Sequence, residues 1–135
     1  MNYWLVKSEP ESYSWEDLQA KKEDVWDGVR NFQARNYLKE MKVGDAVLFY
    51  HSGKSKSIVG LARVSEEAFP DAQDKEGKGW VAVRLRAERS LSRSVGLEEI
   101  KADAHLQELP LLKQSRLSVM PIDKNAFDHI LKISS

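Results

Sequence analysis

The segment from Trp26 to Leu38 concentrates side chains that an ordinary hydrophobic core does not require. Its sequence, WDGVRNFQARNYL, contains a tryptophan, a glycine, two arginines and two asparagines. An indole can stack on a nucleobase with about 1–3 kcal/mol per base, asparagine amides can read a base edge, and arginine can hold a phosphate. We therefore predict that this segment forms the wall of a pocket that other segments close.

The same side chains also have structural interpretations, which the sequence leaves open. Trp26 stands beside the turn residue Gly28, and a tryptophan in such a position is often simply part of the core. Asn31 can cap a helix by accepting a hydrogen bond from a first-turn amide. Arg35 can pair with a buried carboxylate, such as that of Glu9, instead of a phosphate.

Common catalytic signatures are missing from the sequence. It has no Gly-rich phosphate loop, no dinucleotide fingerprint and no His-Glu-x-x-His pair, and the absence of cysteine excludes a zinc nucleobase deaminase. Glu9 and Asp27 could act as acid and base, but carboxylates in turns more often bond local amides. His51, at the end of a predicted strand, is the better candidate for a site residue, although a structural role fits it equally.

The remaining histidines give no indication of a metal site. His105 and His129 are far from His51 in the sequence and lie in or beside predicted surface helices. No cofactor is expected either.

Composition and charge limit the functional classes. The chain has 135 residues, no cysteine, and 21 basic against 21 acidic side chains. A formal net charge of zero argues against a sequence-blind DNA coat, because such proteins neutralise phosphates with a basic surface. A local basic patch is still possible, since four arginines cluster between residues 84 and 93. A solvent-exposed strand face is the commoner interpretation of such a cluster. The N-terminus predicts neither a signal peptide nor a membrane span, so we expect a soluble, cytoplasmic protein.

The residue pattern predicts an α+β domain. Strands are expected at residues 3–7, 25–26, 46–51, 58–64, 80–87 and 117–120. Helices are expected after Ser14, from Asn31 to about Val43–Gly44, near residues 97–101 and 104–109, and after the cap Asp123. Short helices interleaved with strands of mixed direction favour a small, strongly bent barrel.

Four separated blocks resemble the EVE domain family. They are YWLVKSEP at residues 3–10, WDGVRNFQARN at 26–36, FYHS at 49–52 and RLSVMP at 116–121. They occur in the expected order and the resemblance extends from Tyr3 to about Ile130, so we identify residues 1–135 as a single EVE domain. The resemblance implies a PUA-like fold, in which a bent, barrel-like mixed sheet carries flanking short helices, related to the YTH readers of methylated adenine.

The resemblance also implies a non-catalytic reader that binds nucleic acid, DNA or RNA, and holds a modified base, with modified cytosine suspected, flipped into an aromatic pocket. Carried over to this chain, the base pocket comprises Lys7, Ser8, Trp26, Val29, Asn31, Arg35, Asn36, Tyr50, His51, Ser52 and Pro121. Candidate contacts to the nucleic-acid backbone are Arg30, Arg35, Arg84 and Arg86.

One segment departs from the family pattern. Many members carry an aromatic Tyr-Tyr-Asp-Pro-like segment after a Phe/Tyr-Pro-Asp turn, whereas here Phe69-Pro70-Asp71 leads through a polar stretch directly into Trp80. We therefore expect a shortened loop after Asp71. Two other functions stay open at this stage: a nucleic-acid-modifying or cleaving enzyme that uses His51 with Glu9 or Asp27, and a protein-interaction module.

Overall fold

The computed structural model describes all 135 residues and contains six strands, five helices and a single 3₁₀ turn at Ala104–Leu106. The strands are β1 (Tyr3–Ser8), β2 (Glu23–Trp26), β3 (Ala46–His51), β4 (Ser57–Pro70), β5 (Val81–Gly96) and β6 (Val119–Ile122). The helices are α1 (Trp15–Lys21), α2 (Phe32–Glu40), α3 (Leu97–Ala102), α4 (Pro110–Lys113) and α5 (Lys124–Ile133). The mixed α+β class predicted from the sequence is confirmed.

The strands form one sheet in the order β2-β5-β4-β3-β1-β6. The β1 and β3 strands run parallel, and the other neighbours are antiparallel. The sheet is not closed into the predicted bent barrel, because the four-residue strands β2 and β6 each pair on one side only and leave the sheet open. Register shifts within β4 and β5 instead bend the sheet, as β-bulges do.

The hairpin of β4 and β5 is longer than the sequence pattern predicted. Apolar alternation fades after Val64 and after Ala87, yet the strands continue to Pro70 and Gly96. Pairs such as Glu66 with Arg84 extend the ladder with charged side chains, which hydrophobic alternation does not detect.

The core lies on both faces of the central strands. Every residue of β3 is buried, as its uninterrupted apolar sequence predicted, because β1 and β4 flank it and helices cover the sheet. Asn31 caps α2, and its side-chain oxygen accepts the Ala34 N–H at 2.8 Å. The helix ends before Met41, whose backbone is extended, so it is shorter than predicted.

Helix α1 is fixed to the sheet by a close approach of side chain and backbone. Ser14 and Asp17 form the predicted capping box. The Trp15 indole then lies directly on Gly60 of β4, where an added Cβ would be 2.3 Å from the ring. Its indole N–H donates to the Ser90 hydroxyl at 2.8 Å.

The C-terminal part differs in detail from the prediction. Strand β6 begins at Val119, two residues later than expected, and pairs with β1. Asp123 precedes α5, but its side chain makes no capping hydrogen bond, which corrects the predicted cap. Helix α5 is held by burial of Phe127 and Ile130. None of the helices combines the length and the apolar character needed to cross a membrane.

Candidate functional site

A cleft of about 570 Å³ opens beside Trp26, within the size range of small-ligand sites. It lies between the end of β1, the segment that follows it, strand β2 and the loop that leads to α2. Its lining residues are Lys7, Ser8, Ser12, Tyr13, Lys21, Asp24, Val25, Trp26, Asp27, Gly28, Val29, Arg30 and Ser118. Four of the predicted pocket residues, Lys7, Ser8, Trp26 and Val29, are therefore brought together here.

The cleft follows the open edge of β2. Asp24, Val25 and Trp26 are consecutive residues that all line it. Adjacent side chains of a strand point to opposite faces, so three neighbours can border one cleft only along the strand's edge. Because β2 ends the sheet, this edge also carries backbone N–H and C=O groups without a strand partner.

Trp26 reaches the cleft with only a small part of its surface. The residue is 9% exposed, and Tyr13 and Phe49 pack against it edge to face with ring centroids 6.1 and 5.4 Å away. The indole is therefore both a core residue and a boundary of the cleft. Stacking of a base over its full face would require a neighbouring side chain to move.

The loop after β2 is fixed by a distant carboxylate. Gly28 has a positive φ of 76°, and its N–H donates to Asp71 at 2.9 Å. The Arg30 guanidinium donates to the same oxygen at 2.9 Å, and the Gln73 N–H donates to the other oxygen at 2.7 Å. Although burial opposes ionisation of Asp71, these donors hold its pKa below the usual range.

A second carboxylate is satisfied within the cleft. The Tyr13 hydroxyl donates to Asp24 at 2.5 Å, and the Lys21 ammonium lies 3.3 Å from the same oxygen. Burial and then the neighbouring Asp24 raise the pKa of Tyr13 far above its usual value. Despite desolvation, the bonds from Tyr13, the Val25 amide and Lys21 keep the pKa of Asp24 low.

Lys7 lines the cleft at the end of β1, and its side chain is held by other contacts. Its ammonium donates to the Ser115 carbonyl at 2.8 Å and lies 5.9 Å from the centre of the Tyr50 ring. Burial lowers the pKa of Lys7 and raises that of Tyr50. The Ser8 hydroxyl is also engaged, because it donates to the Tyr13 carbonyl at 2.7 Å.

Asp27 differs from the other charged groups of the cleft. It is exposed, and its carboxylate makes neither a hydrogen bond nor an ion pair in the structure. The cations Lys21 and Arg30, in contrast, each lie next to an aspartate. The cleft is thus close to neutral and offers one free carboxylate acceptor.

An arginine–aromatic stack adjoins the cleft. We use this name for Arg30, Phe32, Arg35 and Trp80. The rings of Phe32 and Trp80 are stacked with centroids 5.2 Å apart and an interplanar angle of 24°. The guanidinium of Arg35 lies 4.9 Å from the centre of the Phe32 ring, and that of Arg30 lies 5.5 Å from Trp80. Phe32 is 65% exposed, so one aromatic surface faces solvent beside two cations.

The other predicted pocket residues lie outside the cleft lining. Asn31 is occupied as a helix cap, Asn36 is exposed on α2, and Arg35 belongs to the stack. The Arg35 Nε is buried without a hydrogen-bond partner. Pro121 borders a separate depression along β6, near the N-terminus.

Tyr50 and His51 end strand β3, Ser52 follows it, and all three have structural contacts. Tyr50 and His51 are buried, and the Nε2 atom of His51 accepts the backbone N–H of Trp15 at 2.9 Å. The Ser52 N–H donates to the Ser8 carbonyl. One ring nitrogen of His51 is therefore engaged, and His51 does not line the cleft with Asp27.

The arginines that we predicted to contact the nucleic-acid backbone differ in whether they are already paired with a carboxylate. Arg84 is paired with Glu66 at 3.1 Å and with Glu23 at 3.8 Å. Arg86 is exposed without an ion pair. Arg30 and Arg35 belong to the stack, beside the cleft, so they are the two that adjoin the candidate site.

Sequence reasoning missed several residues of this region. Tyr13 and Asp24 line the cleft, Asp71 fixes its loop, and Trp80 completes the stack. The one available signal was the proximity of Asp24 to Trp26 along the chain. Asp71 and Trp80 are reached only through the pairing of β4 with β5, which sequence spacing does not specify.

Comparison with known proteins shows the family. The EVE domain profile matches residues 2–133. The chain belongs to the EVE domain family. It is 39% identical to mouse thymocyte nuclear protein 1 over 165 residues, which cover 98% of this chain and 73% of the relative.

Two solved structures match the fold of this chain over its whole length. Protein Atu2648 from Agrobacterium tumefaciens is 36% identical, with a TM-score of 0.97 and coverage of 100% of this chain and 94% of the other. Human THYN1 protein, crystallised in complex with 5-methylcytosine containing DNA, is 34% identical, with a TM-score of 0.93 and coverage of 100% and 98%. The YTH domain of Zygosaccharomyces rouxii MRB1 is only 17% identical, but its TM-score of 0.64 over 99% of this EVE domain supports the PUA-like fold.

The relatives also bear on chain length. The alignment with the mouse protein is 165 positions long, so at least 30 of them have no counterpart among the 135 residues of this EVE domain. The shortened loop after Asp71 stays a prediction.

Proposed function

We propose that this EVE domain is a reader of modified cytosine in nucleic acid, and that it binds the flipped base in the cleft beside Trp26. The observation that carries the proposal is the cleft itself, which gathers four of the residues expected to form the base pocket. The human relative, whose fold matches over the whole chain, was crystallised with DNA that contains 5-methylcytosine. This supports the same ligand class here.

The charges of the cleft favour a base over a phosphate as its occupant. Lys21 and Arg30 are neutralised by neighbouring aspartates, and the Lys7 ammonium is already bonded to a carbonyl. Lys7 is the one cation of the lining without a carboxylate partner. A neutral heterocycle can instead contact the exposed part of Trp26 and bond the open backbone edge of β2.

The proposed preference for cytosine depends on Asp27. Its free carboxylate can accept a hydrogen bond from the exocyclic N4 amine of cytosine, the usual pairing of acidic side chains with this base. The 5-methyl group would contact the apolar part of the lining, which Val25 and Val29 contribute. One methyl in such a site provides about 1–3 kcal/mol, or roughly 10- to 200-fold in affinity.

The nucleic-acid strand would then pass over the arginine–aromatic stack. Arg30 borders the cleft and also lies over Trp80, so it joins the two surfaces. The exposed Phe32 ring can stack on the base next to the flipped one, and the neighbouring guanidinium groups can attract phosphates. This arrangement favours a single-stranded or locally opened substrate.

The test is a binding titration with matched oligonucleotides. Labelled single strands and duplexes carry one cytosine, 5-methylcytosine or 5-hydroxymethylcytosine at the same position, and fluorescence anisotropy gives the affinity at fixed salt. We expect a modified cytosine to bind more tightly than cytosine and Asp27→Ala to reduce binding by about 10-fold or more. The matched control is Asp123→Ala, which removes an exposed carboxylate of α5. Equal binding of all oligonucleotides, unchanged in Asp27→Ala, would overturn the proposal.

A further inference from the structure

Three side chains that are distant from the cleft gather between the segment after α3 and helix α5. The Nε2 atom of His129 lies 2.6 Å from one oxygen of Asp103, and Nδ1 of His105 lies 3.3 Å from the other. The two imidazole rings are 4.5 Å apart, and the candidate ligand atoms all lie within 4.8 Å of one another. We propose that Asp103, His105 and His129 form a binding site for a divalent transition-metal ion.

Local structure positions each of these groups. Asp103 follows α3 and accepts the backbone N–H of His105 at 2.8 Å, which sets its carboxylate at the start of the 3₁₀ turn. His129 lies on α5 next to the fully buried Ile130. The side chains of Asp103 and His129 are 17% and 20% exposed, so two ligands are held by packing, whereas His105 is 74% exposed and can adjust.

The distances suit a metal ion after small rotations. Zinc binds imidazole nitrogen and carboxylate oxygen at about 2.0–2.2 Å, so two ligand atoms of a tetrahedral ion lie about 3.3 Å apart. The His105–Asp103 separation of 3.3 Å already has this value, and the His129–Asp103 pair, now 2.6 Å apart, must open by about 0.7 Å. Three protein ligands leave one position for water or another small ligand.

The electrostatics of the cluster also favour a cation. The Asp103 carboxylate supplies the negative charge of the cluster, and one of its oxygens lies against each imidazole ring. A metal ion bound between the three groups would join the carboxylate to both rings.

The ligand types identify the class of ion. Imidazole nitrogen suits Zn²⁺, Co²⁺, Ni²⁺ and Cu²⁺, whereas Mg²⁺ and Ca²⁺ prefer sites made only of oxygen. The site is accordingly expected to bind Zn²⁺ and to discriminate strongly against Mg²⁺. It does not depend on the base-binding proposal, because none of its residues lines the cleft.

The test uses the full chain with Zn²⁺ and Co²⁺ in a buffer free of chelators. Calorimetry with Zn²⁺ is expected to give one ion per chain, and Co²⁺ to give visible absorption typical of a low-coordinate site. His105→Gln removes an exposed ligand, and Asp103→Asn keeps an acceptor for the His105 amide. Both are expected to weaken Zn²⁺ binding by about 10-fold or more. Asp128→Asn, next to the site on α5 but paired with Lys124, is the matched control and is expected to bind normally.

A second measurement does not depend on any variant. Addition of Zn²⁺ to the wild-type chain is expected to shift the imidazole NMR signals of His105 and His129 and to leave those of His51 unchanged. Absence of these shifts, or Zn²⁺ binding that is unaffected by His105→Gln, would overturn the proposal.

Discussion

The Arg30 guanidinium donates a 2.9 Å hydrogen bond to Asp71, whose side chain is completely buried. The same carboxylate oxygen accepts the Gly28 amide, so a residue from the β4–β5 connection fixes the loop that borders the cleft. The shape of the candidate site therefore depends on a residue that does not line it.

Replacement of Asp71 by alanine is expected to destabilise the domain and to loosen the cleft. The substitution leaves the Gly28 and Gln73 amides and the Arg30 guanidinium without their acceptor, which costs about 2–4 kcal/mol. Urea denaturation measures this loss, and oligonucleotide titration should show weaker binding. Asp123→Ala is the surface control, and an equal change in both variants would contradict the assignment.

The contribution of Asp71 to the free energy of unfolding is also expected to depend on pH. Because the native state lowers the pKa of Asp71 relative to the unfolded chain, its stabilising contribution is complete above the unfolded value, near 4, and decreases as the pH falls through the folded value. The difference in unfolding free energy between wild type and Asp71→Asn should therefore narrow in acid. A difference that stays constant from pH 7 to pH 2 would show that ionisation of Asp71 is not involved.

Removal of the Phe32 ring is expected to affect binding more than stability. The side chain is 65% exposed and stacks on Trp80, so Phe32→Ala should change the free energy of unfolding by less than about 1 kcal/mol. If the ring stacks on a base, oligonucleotide affinity should fall by about 5- to 150-fold, whereas binding of the free nucleoside should not change. Val43, 61% exposed and remote from the stack, gives the matched control Val43→Ala.

Tyr13 is expected to make the domain sensitive to alkali. Its hydroxyl donates to Asp24, and its pKa is raised in the folded state, so the stabilisation is complete below the unfolded value, near 10, and is lost as the pH rises above it. Tyr13→Phe should cost about 1–2 kcal/mol at neutral pH, and this deficit should shrink above pH 10. Chemical denaturation at several pH values measures the trend. A deficit that persists unchanged at pH 11 would contradict it.

Gly60 is expected to tolerate no side chain while Trp15 is present. An added Cβ would lie 2.3 Å from the indole, so Gly60→Ala should displace α1 and cost about 3 kcal/mol or more. When Trp15 is replaced by leucine, Gly60→Ala should reduce the free energy of unfolding by less than it does in the wild type. A double-mutant cycle measures this coupling. Gly96→Ala, at a position with open space around it, is the control, and additive effects at positions 60 and 15 would count against the contact.

Local sequence signals predicted the local structure well. The Ser14–Asp17 capping box, the Asn31 cap and the uninterrupted apolar run of β3 each correspond to an observed feature. These signals act within one turn or one strand, so neighbouring residues contain the necessary information. The apolar run of β3 also predicted correctly that both faces of this strand are covered.

The arrangement of the site could be predicted only in part. Lys7 and Trp26 border the same cleft although β1 and β2 are not neighbours in the sheet, and the sequence does not specify that β2 ends the sheet and leaves its edge open. Asn36 and His51 come from blocks that resemble the family, yet one is exposed on α2 and the other bonds the Trp15 amide. Proximity in a motif does not determine the direction in which a side chain points.

The pairing of β6 with β1 has a consequence for synthesis of the chain. The β1 strand is synthesised well before its antiparallel neighbour at residues 119–122. Until then, one side of β1 presents unpaired amides and carbonyls next to apolar side chains, which is the kind of surface that promotes association between nascent chains. Completion of the sheet must therefore await the synthesis of residues 119–122, and one edge of β1 stays open to association during that interval.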